Sequence, residues 1–233
     1  MATLFLIPAP LGDLPPDNWV IPAQRERIRH LTRFVVEASK TARKHLKQLE
    51  LDTPLQVLEL AELNEHTAEA ELEALLAPLL AGHDVGLLSE AGCPAVADPG
   101  ANLVRLAHRY GITVEPLVGP SSILLALMGS GSQGQRFAFN GYLPVKPPER
   151  VQAIRRFERR AQSERQSQLF IEAPYRNVKL MEQLLQTLAP ETRLTLAMDI
   201  TAPGEYIRTL PVREWRSVRL PEMNRRPAIF IIG

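Results

Sequence analysis

The sequence predicts an α/β protein with a largely parallel sheet, and three observations support that class. Short apolar runs bounded by Gly or Pro alternate with longer stretches of helical period. The chain has 233 residues, 45% apolar and 23% charged, which is enough for a sizeable core in one large domain or two small ones. Loops of Gly, Pro and small polar residues follow several of the apolar runs, as they do where the strands of an open sheet end at a ligand cleft.

Taken in order, strands are predicted over 3–7, 34–37, 57–60, 85–89 and 113–117, and helices over 41–49, 67–81 and 101–110. In the second of these helices Thr67 stands ahead of an acidic first turn, which suits the helix dipole. A second series follows Gly119-Pro120. Its strands are expected over 137–140, 168–172, 194–198 and 228–232, and its helices over 121–128, 149–165 and 177–188. GSGSQG, from Gly129, reads as a flexible loop. The expected lobes are residues 1–118 and 119–233.

A net charge of +1 hides two blocks. Arg25, Arg27, Arg29, Arg33, Lys40, Arg43, Lys44 and Lys47 face only Glu26 and Glu37, whereas residues 48–104 hold eleven carboxylates and no Lys or Arg. Cys93 is the only cysteine, so no intramolecular disulfide is possible and nothing suggests an oxidising compartment. The first apolar run lacks a basic leader and is cut short by Pro8 and Pro10, which fits neither a signal peptide nor a spanning helix. A cytoplasmic chain with no membrane partner is expected. His30, His45, His66, His83 and His108 show no paired ligand spacing, so no metal site is expected. There is no GxGxxG after a strand and no GxxxxGK[ST].

The stretch VGLLSEAGCPAVADPG (85–100) runs from an apolar strand into small residues, prolines and two carboxylates. Glu90 and Asp98 have two readings there: they face a ligand, or they cap the helix at Ala101. Loops of the same character begin at Pro8, at Val118 and at Glu172. Together they suggest a cleft lined by backbone.

LIPAPLGDL, LLSEAGCPAVADPG, GPSS, FNGYLP, FIEAPYRN and RPAIFIIG occur in an order that resembles the tetrapyrrole methylase family over nearly the whole chain, and most resembles its branch that methylates a ribose in small-subunit ribosomal RNA. The resemblance implies two α/β/α lobes with S-adenosylmethionine in the cleft between them, and a homodimer. It places cofactor contacts at Pro10, Ser89, Glu90, Ala91, Gly92, Asp98, Ser121, Ser122, Met198, Pro227 and Ala228. Two stretches depart from the ribosomal branch. Glu37-Ala38-Ser39-Lys40 stands where that branch has an acidic-Asp-Thr-Arg cluster, and Ala197-Met198-Asp199-Ile200-Thr201-Ala202 stands where it resembles ARELTK. The ribosomal enzymes are also expected to continue past the position of Gly233.

Transfer to a ribose hydroxyl needs a group that takes its proton, and Glu37, Glu172 and Asp199 are the candidate bases. The alternative reading of Glu37 and Glu172 is hydrogen bonding to loop amides. Lys40, Arg43, Lys44 and Lys47 share one helix face, and Lys146, Arg150, Arg155, Arg156, Arg159, Arg160 and Arg165 form a second basic cluster. Each is either a solvated face or a surface for ribosomal RNA or the small ribosomal subunit. Tyr175 is expected to stack on a base and Arg176 to pair with a phosphate. Two rival functions remain at this point: a methyltransferase acting on a tetrapyrrole or another small molecule, and a non-catalytic cofactor-binding or interaction protein.

Overall fold

The computed structural model describes residues 2–64 and 67–233, with only the backbone of Glu69 described; Met1, Glu65 and His66, one of the five histidines weighed above, lie outside the described residues. The chain divides into two compact units, Met1–Ser121 and Ser122–Gly233.

The first unit contains β1 (Thr3–Ile7), α1 (Pro22–Ile28), β2 (Arg33–Val36), α2 (Ser39–Gln48), β3 (Glu59–Glu62), α3 (Glu69–Leu80), β4 (Val85–Leu88), α4 (Ala101–Arg109) and β5 (Thr113–Pro116). Its sheet has the order β3-β2-β4-β1-β5, with every pair parallel. Alternation along β1 sends Phe5 and Ile7 into a core with Trp19, Ile28, Phe34 and Leu46, and Leu4 into a second core with Leu72, Leu76 and Leu103. Helices therefore cover both faces, which is why β1, β2 and β4 read as apolar runs. Each fully buried Leu, Ile or Phe contributes about 1.5–3 kcal/mol. From β1 the chain builds outward to β2 and β3, returns to insert β4 beside β1, and places β5 on the far side. Direction thus reverses between β1 and β4.

Two local expectations change here. Residues 55–57 form a 3-10 turn, so the third strand lies at Glu59–Glu62; as an edge strand with exposed acids it has no apolar run to mark it. Helix α3 begins at Glu69, two residues later than expected. The Thr67 hydroxyl accepts the Asn64 amide, and Glu71 reaches back to accept the Ala68 amide at 3.3 Å. α1 was not expected; its signal was Pro22 at the first helical position.

The second unit contains α5 (Ser122–Ser130), β6 (Phe137–Tyr142), α6 (Pro147–Ser163), β7 (Ser167–Ile171), α7 (Asn177–Thr187), β8 (Arg193–Met198), β9 (Tyr206–Pro211), α8 (Val212–Trp215) and β10 (Ala228–Ile232). Its sheet, ordered β6-β7-β10-β8-β9, corrects the expectation of a largely parallel sheet: only β6 and β7 are parallel. The reason is the connections. Residues 199–205 are too few for a crossover helix, so β9 folds back on β8 as a hairpin, and β10 then enters antiparallel between β7 and β8. β9 was missed because YIRTLP carries no continuous apolar run.

The core of this unit centres on Phe157, Phe170 and Phe230, whose rings stack at 6.1 and 5.8 Å between centroids. Trp215 donates its ring N–H to the Leu194 carbonyl at 2.7 Å, which satisfies a buried donor. Where a flexible loop was expected from Gly129, helix α5 continues through Ser130, and Thr209 of β9 donates to the Ser130 carbonyl at 2.7 Å. No helix among the described residues is long and apolar enough to cross a membrane.

Candidate active site

In an open parallel sheet the strand ends beside a reversal of winding diverge and leave a crevice. In the first unit those ends belong to β1 and β4. Ala9 and Gly92 close them into an antiparallel bridge, with Ala9 N donating to Gly92 O at 2.8 Å and Gly92 N to Ala9 O at 3.0 Å. Gly92 has φ +76°, a conformation that favours glycine. Gly119, at the end of β5, lies so close to Pro8 that a Cβ would sit 2.2 Å from its ring, so the loops after β1 and β5 meet backbone to ring. Pro10 is buried one residue beyond the bridge.

Ser89, Glu90, Ala91 and Asp98 follow on the β4 loop, in which Ala95 and Ala97 take φ +67° and +62°. Left-handed alanines cost about 1–2 kcal/mol each, and such strain clusters at functional loops. Glu37, at the end of β2, donates its own amide to Leu88 O and accepts the Glu90 amide on Oε2 at 3.1 Å. Helix α2 contributes two further contacts: Thr41 donates to Glu90 Oε1 at 2.8 Å, and the His45 Nε2 lies 3.1 Å from Glu90 O. Burial, then the neighbouring Glu37 and Glu90 charges, push the Asp98 carboxyl up to about 6, against an opposing hydrogen bond from Ser89. Burial also lowers the His45 imidazole and raises the Cys93 thiol, whose Sγ lies against Pro120 O at 3.4 Å.

Among the described residues no Lys or Arg pairs with Glu37, Glu90 or Asp98. Lys44, one turn beyond Thr41 on α2, instead pairs with Asp13 at 2.9 Å, and Arg43 donates to the Leu55 carbonyl. Lys40 is exposed. The loop thus offers uncompensated carboxylates and closely approached backbone, a donor set suited to a compact cation with a flat heterocycle beside it. A sulfonium nucleoside such as S-adenosylmethionine fits that description.

In the second unit the register of β10 brings the remaining residues to one sheet edge. Ala228 pairs with Met198 and Ile229 with Ile171, so the ends of β7 and β8 flank Pro227 and Ala228. Pro227 O accepts the Asp199 amide at 3.1 Å. Both carboxylates at this edge are held by arginines. Glu172, with a side chain 0% exposed, accepts Arg176 Nε at 2.9 Å and Nη2 at 2.6 Å on Oε1, along with the Ala173 amide. Its Oε2 is buried without a partner. Asp199 accepts Arg226 Nε at 2.6 Å, while the same guanidinium donates to Gly204 O and Glu222 O. Arg176 is therefore engaged with Glu172 instead of standing free for a phosphate, and its guanidinium lies 5.4 Å from the centre of the exposed Tyr175 ring. Ser121 ends the first unit and Ser122 opens α5 of the second.

Sequence reasoning passed over Thr41, His45 and Arg226. Thr41 and His45 follow Glu37 at helical steps, which was a usable signal; Arg226 had none beyond its place beside Pro227. No three His, Cys, Asp or Glu side chains among the described residues are arranged for a metal ion.

Residues 23–215 match the family model for Tetrapyrrole (Corrin/Porphyrin) Methylases. Among curated relatives, the chain is 31% identical over 215 residues to a ribosomal RNA small subunit methyltransferase I from Pseudomonas aeruginosa, covering 91% of this chain and 71% of the relative. To the protein of the same description in Escherichia coli O157:H7 it is 28% identical over 229 residues, covering 98% and 76%. Among solved structures, the methyltransferase CobJ superposes with a TM-score of 0.65 at 18% identity, covering 100% of this chain and 94% of that one. A uroporphyrin-III C-methyl transferase from Thermus thermophilus complexed with S-adenosyl homocysteine gives 0.53 at 19% identity, covering 100% and 97%. The two structural likenesses carry the fold, the family match and the sequence relatives carry the kinship, and the chain belongs to the tetrapyrrole methylase family.

Proposed function

We propose that this chain is an S-adenosylmethionine-dependent methyltransferase whose acceptor is a ribose 2′-hydroxyl of small-subunit ribosomal RNA. The observation that carries the reading is the β4 loop, where Glu37, Glu90 and Asp98 converge without a cationic side chain beside glycine-permitted backbone. The ribosomal RNA acceptor is supported by the small-subunit ribosomal RNA methyltransferase relatives, which match 91% and 98% of the chain, and the ribose hydroxyl by the sequence resemblance.

S-adenosylmethionine supplies an activated methyl group on a sulfonium. The chain's task is to bind and align the reactants and to exclude water. Pro10, Ser89, Glu90, Ala91, Gly92, Asp98, Ser121 and Ser122 are the proposed cofactor contacts from the N-terminal half of the chain, and Met198, Pro227 and Ala228 from the remainder. Of the three candidate bases, Glu172 and Asp199 each already hold a guanidinium group on a carboxylate oxygen. Glu37 has an oxygen, Oε1, outside its bond to the Glu90 amide, so it is the proposed proton acceptor. Lys40, Arg43 and Lys44 on α2, with the exposed Tyr175 and its Arg176 neighbour, are further proposed RNA contacts, for which Arg43, Lys44 and Arg176 would each exchange an intramolecular partner for a phosphate. The same reading takes residues 1–118 and 119–233 as the lobes, the protein as a homodimer, and the cytoplasm as its setting.

The test is calorimetric titration with S-adenosylmethionine, followed by incorporation of labelled methyl into unmodified small ribosomal subunits. Saturable binding with label in the RNA is expected. Binding without label would remove the RNA acceptor and favour a tetrapyrrole or other small molecule; no binding would remove the cofactor.

A further inference from the structure

We infer that the outer face of α6 is a docking surface for the phosphodiester backbone of RNA, apart from the residues that flank the chemistry. The inference rests on the RNA reading above. α6 is anchored on its inner side by Ala153, Ile154 and Phe157, the last heading the column of stacked phenylalanines on the sheet. Its central acid, Glu158, also points inward: Oε1 accepts the Ala189 amide at 2.8 Å and the Thr192 hydroxyl at 2.5 Å. Glu158 therefore does nothing to neutralise the opposite side.

On that side Arg155, Arg156, Arg159 and Arg160 are all exposed. They form two i,i+4 rows, each stepping about 6 Å along the axis at a 1.5 Å rise per residue. Like charges at this spacing destabilise a helix. Among the described residues no carboxylate pairs with Arg155, Arg156 or Arg159, and Arg160 reaches Glu164 only at 4.0 Å. Arg156 lies over the Phe157 ring at 5.5 Å, which orients its guanidinium against the helix. The basic face of α2 differs: Lys44 is neutralised by Asp13 and Arg43 is spent on a backbone carbonyl. Four adjacent guanidinium groups, three of them without a carboxylate partner, are unfavourable alone and favourable under a polyanion. Their planar donor forks match phosphate oxygens better than ammonium groups do.

The experiment measures binding of the full chain to unmodified small-subunit ribosomal RNA at several salt concentrations. Wild type is compared with a variant carrying Arg155→Gln, Arg156→Gln, Arg159→Gln and Arg160→Gln. The glutamines relieve repulsion, so the variant should melt no lower than wild type and bind S-adenosylmethionine unchanged. RNA affinity should fall at least about tenfold near physiological salt, and the slope of log affinity against log salt should flatten by roughly 3, from about 0.7–0.9 per phosphate contact. Unchanged affinity and slope, in a wild type that methylates RNA, would overturn the docking face alone. A wild type that neither binds nor methylates RNA would overturn the RNA reading with it. Retained RNA affinity with lost binding to phosphatidylglycerol vesicles would assign the face to a membrane surface and also overturn the proposal.

Discussion

Both units gather carboxylates at strand ends, yet they treat them in opposite ways. In the first unit Glu37, Glu90 and Asp98 are met by amides, a threonine hydroxyl and each other, and burial, then the Glu37 and Glu90 charges, push Asp98 up to about 6. In the second, Glu172 and Asp199 are each held by an arginine within 2.6 Å. An uncompensated cluster is a poor device for stability and a good one for receiving a cation; an arginine-clamped carboxylate is the reverse. The difference separates an edge left open to a cation from one braced by arginines.

The largest effect expected from breaking this contrast is at Arg176. Replacing it with Met leaves the fully buried Glu172 carboxylate without its counter-ion and should lower unfolding free energy by about 3 kcal/mol, read by urea denaturation. Arg226→Gln should cost less, about 2 kcal/mol, because Asp199 and Arg226 are both partly exposed; the loss should be matched by Asp199→Asn, and the double variant should show strong coupling.

The first unit predicts the opposite sign. The folded pKa of Asp98 lies above its ordinary value, so the fold holds the proton more tightly than the unfolded chain does. Asp98's favourable contribution is complete below about pH 4 and is lost as pH rises through about 6. Asp98→Asn should therefore stabilise the protein by about 1 kcal/mol near pH 8, after discounting for partial exposure, and leave it unchanged near pH 4. The same variant should weaken S-adenosylmethionine binding roughly tenfold, the loss of about 1.4 kcal/mol of cation stabilisation. A variant that is destabilised at pH 8 would show that the cluster is compensated after all. At the small end, Lys44→Ala removes an exposed pair with Asp13 and should leave the melting temperature unchanged within error.

Much of this contrast was legible in the residues. The loops after Ile7, Leu88 and Leu117 announced themselves as Gly- and Pro-rich breaks following apolar runs, and residues 48–104, which supply Glu90 and Asp98, hold no Lys or Arg. The clamp of Asp199 by Arg226 was not legible. Arg226 is separated from Asp199 by the β9 hairpin and the segment before β10, and no local pattern marks a pair that only the sheet register brings together. The same limit hid β9 and the antiparallel half of the second sheet: strand direction depends on how the connections fold back, while periodicity reports only which side of a strand is apolar.

By itself the sequence determined the α/β class, most of the helices and strands, and the strand-end loops, because apolar periodicity and Gly and Pro punctuation are local properties. The tertiary structure decided which strand ends are neighbours. Only the order β3-β2-β4-β1-β5 sets Gly92 against Ala9 and Glu37 against Glu90, and only the insertion of β10 between β7 and β8 brings Asp199 to Pro227. Those contacts join residues distant along the chain, and their partners are chosen by packing the whole sheet, a choice that no local stretch of sequence contains.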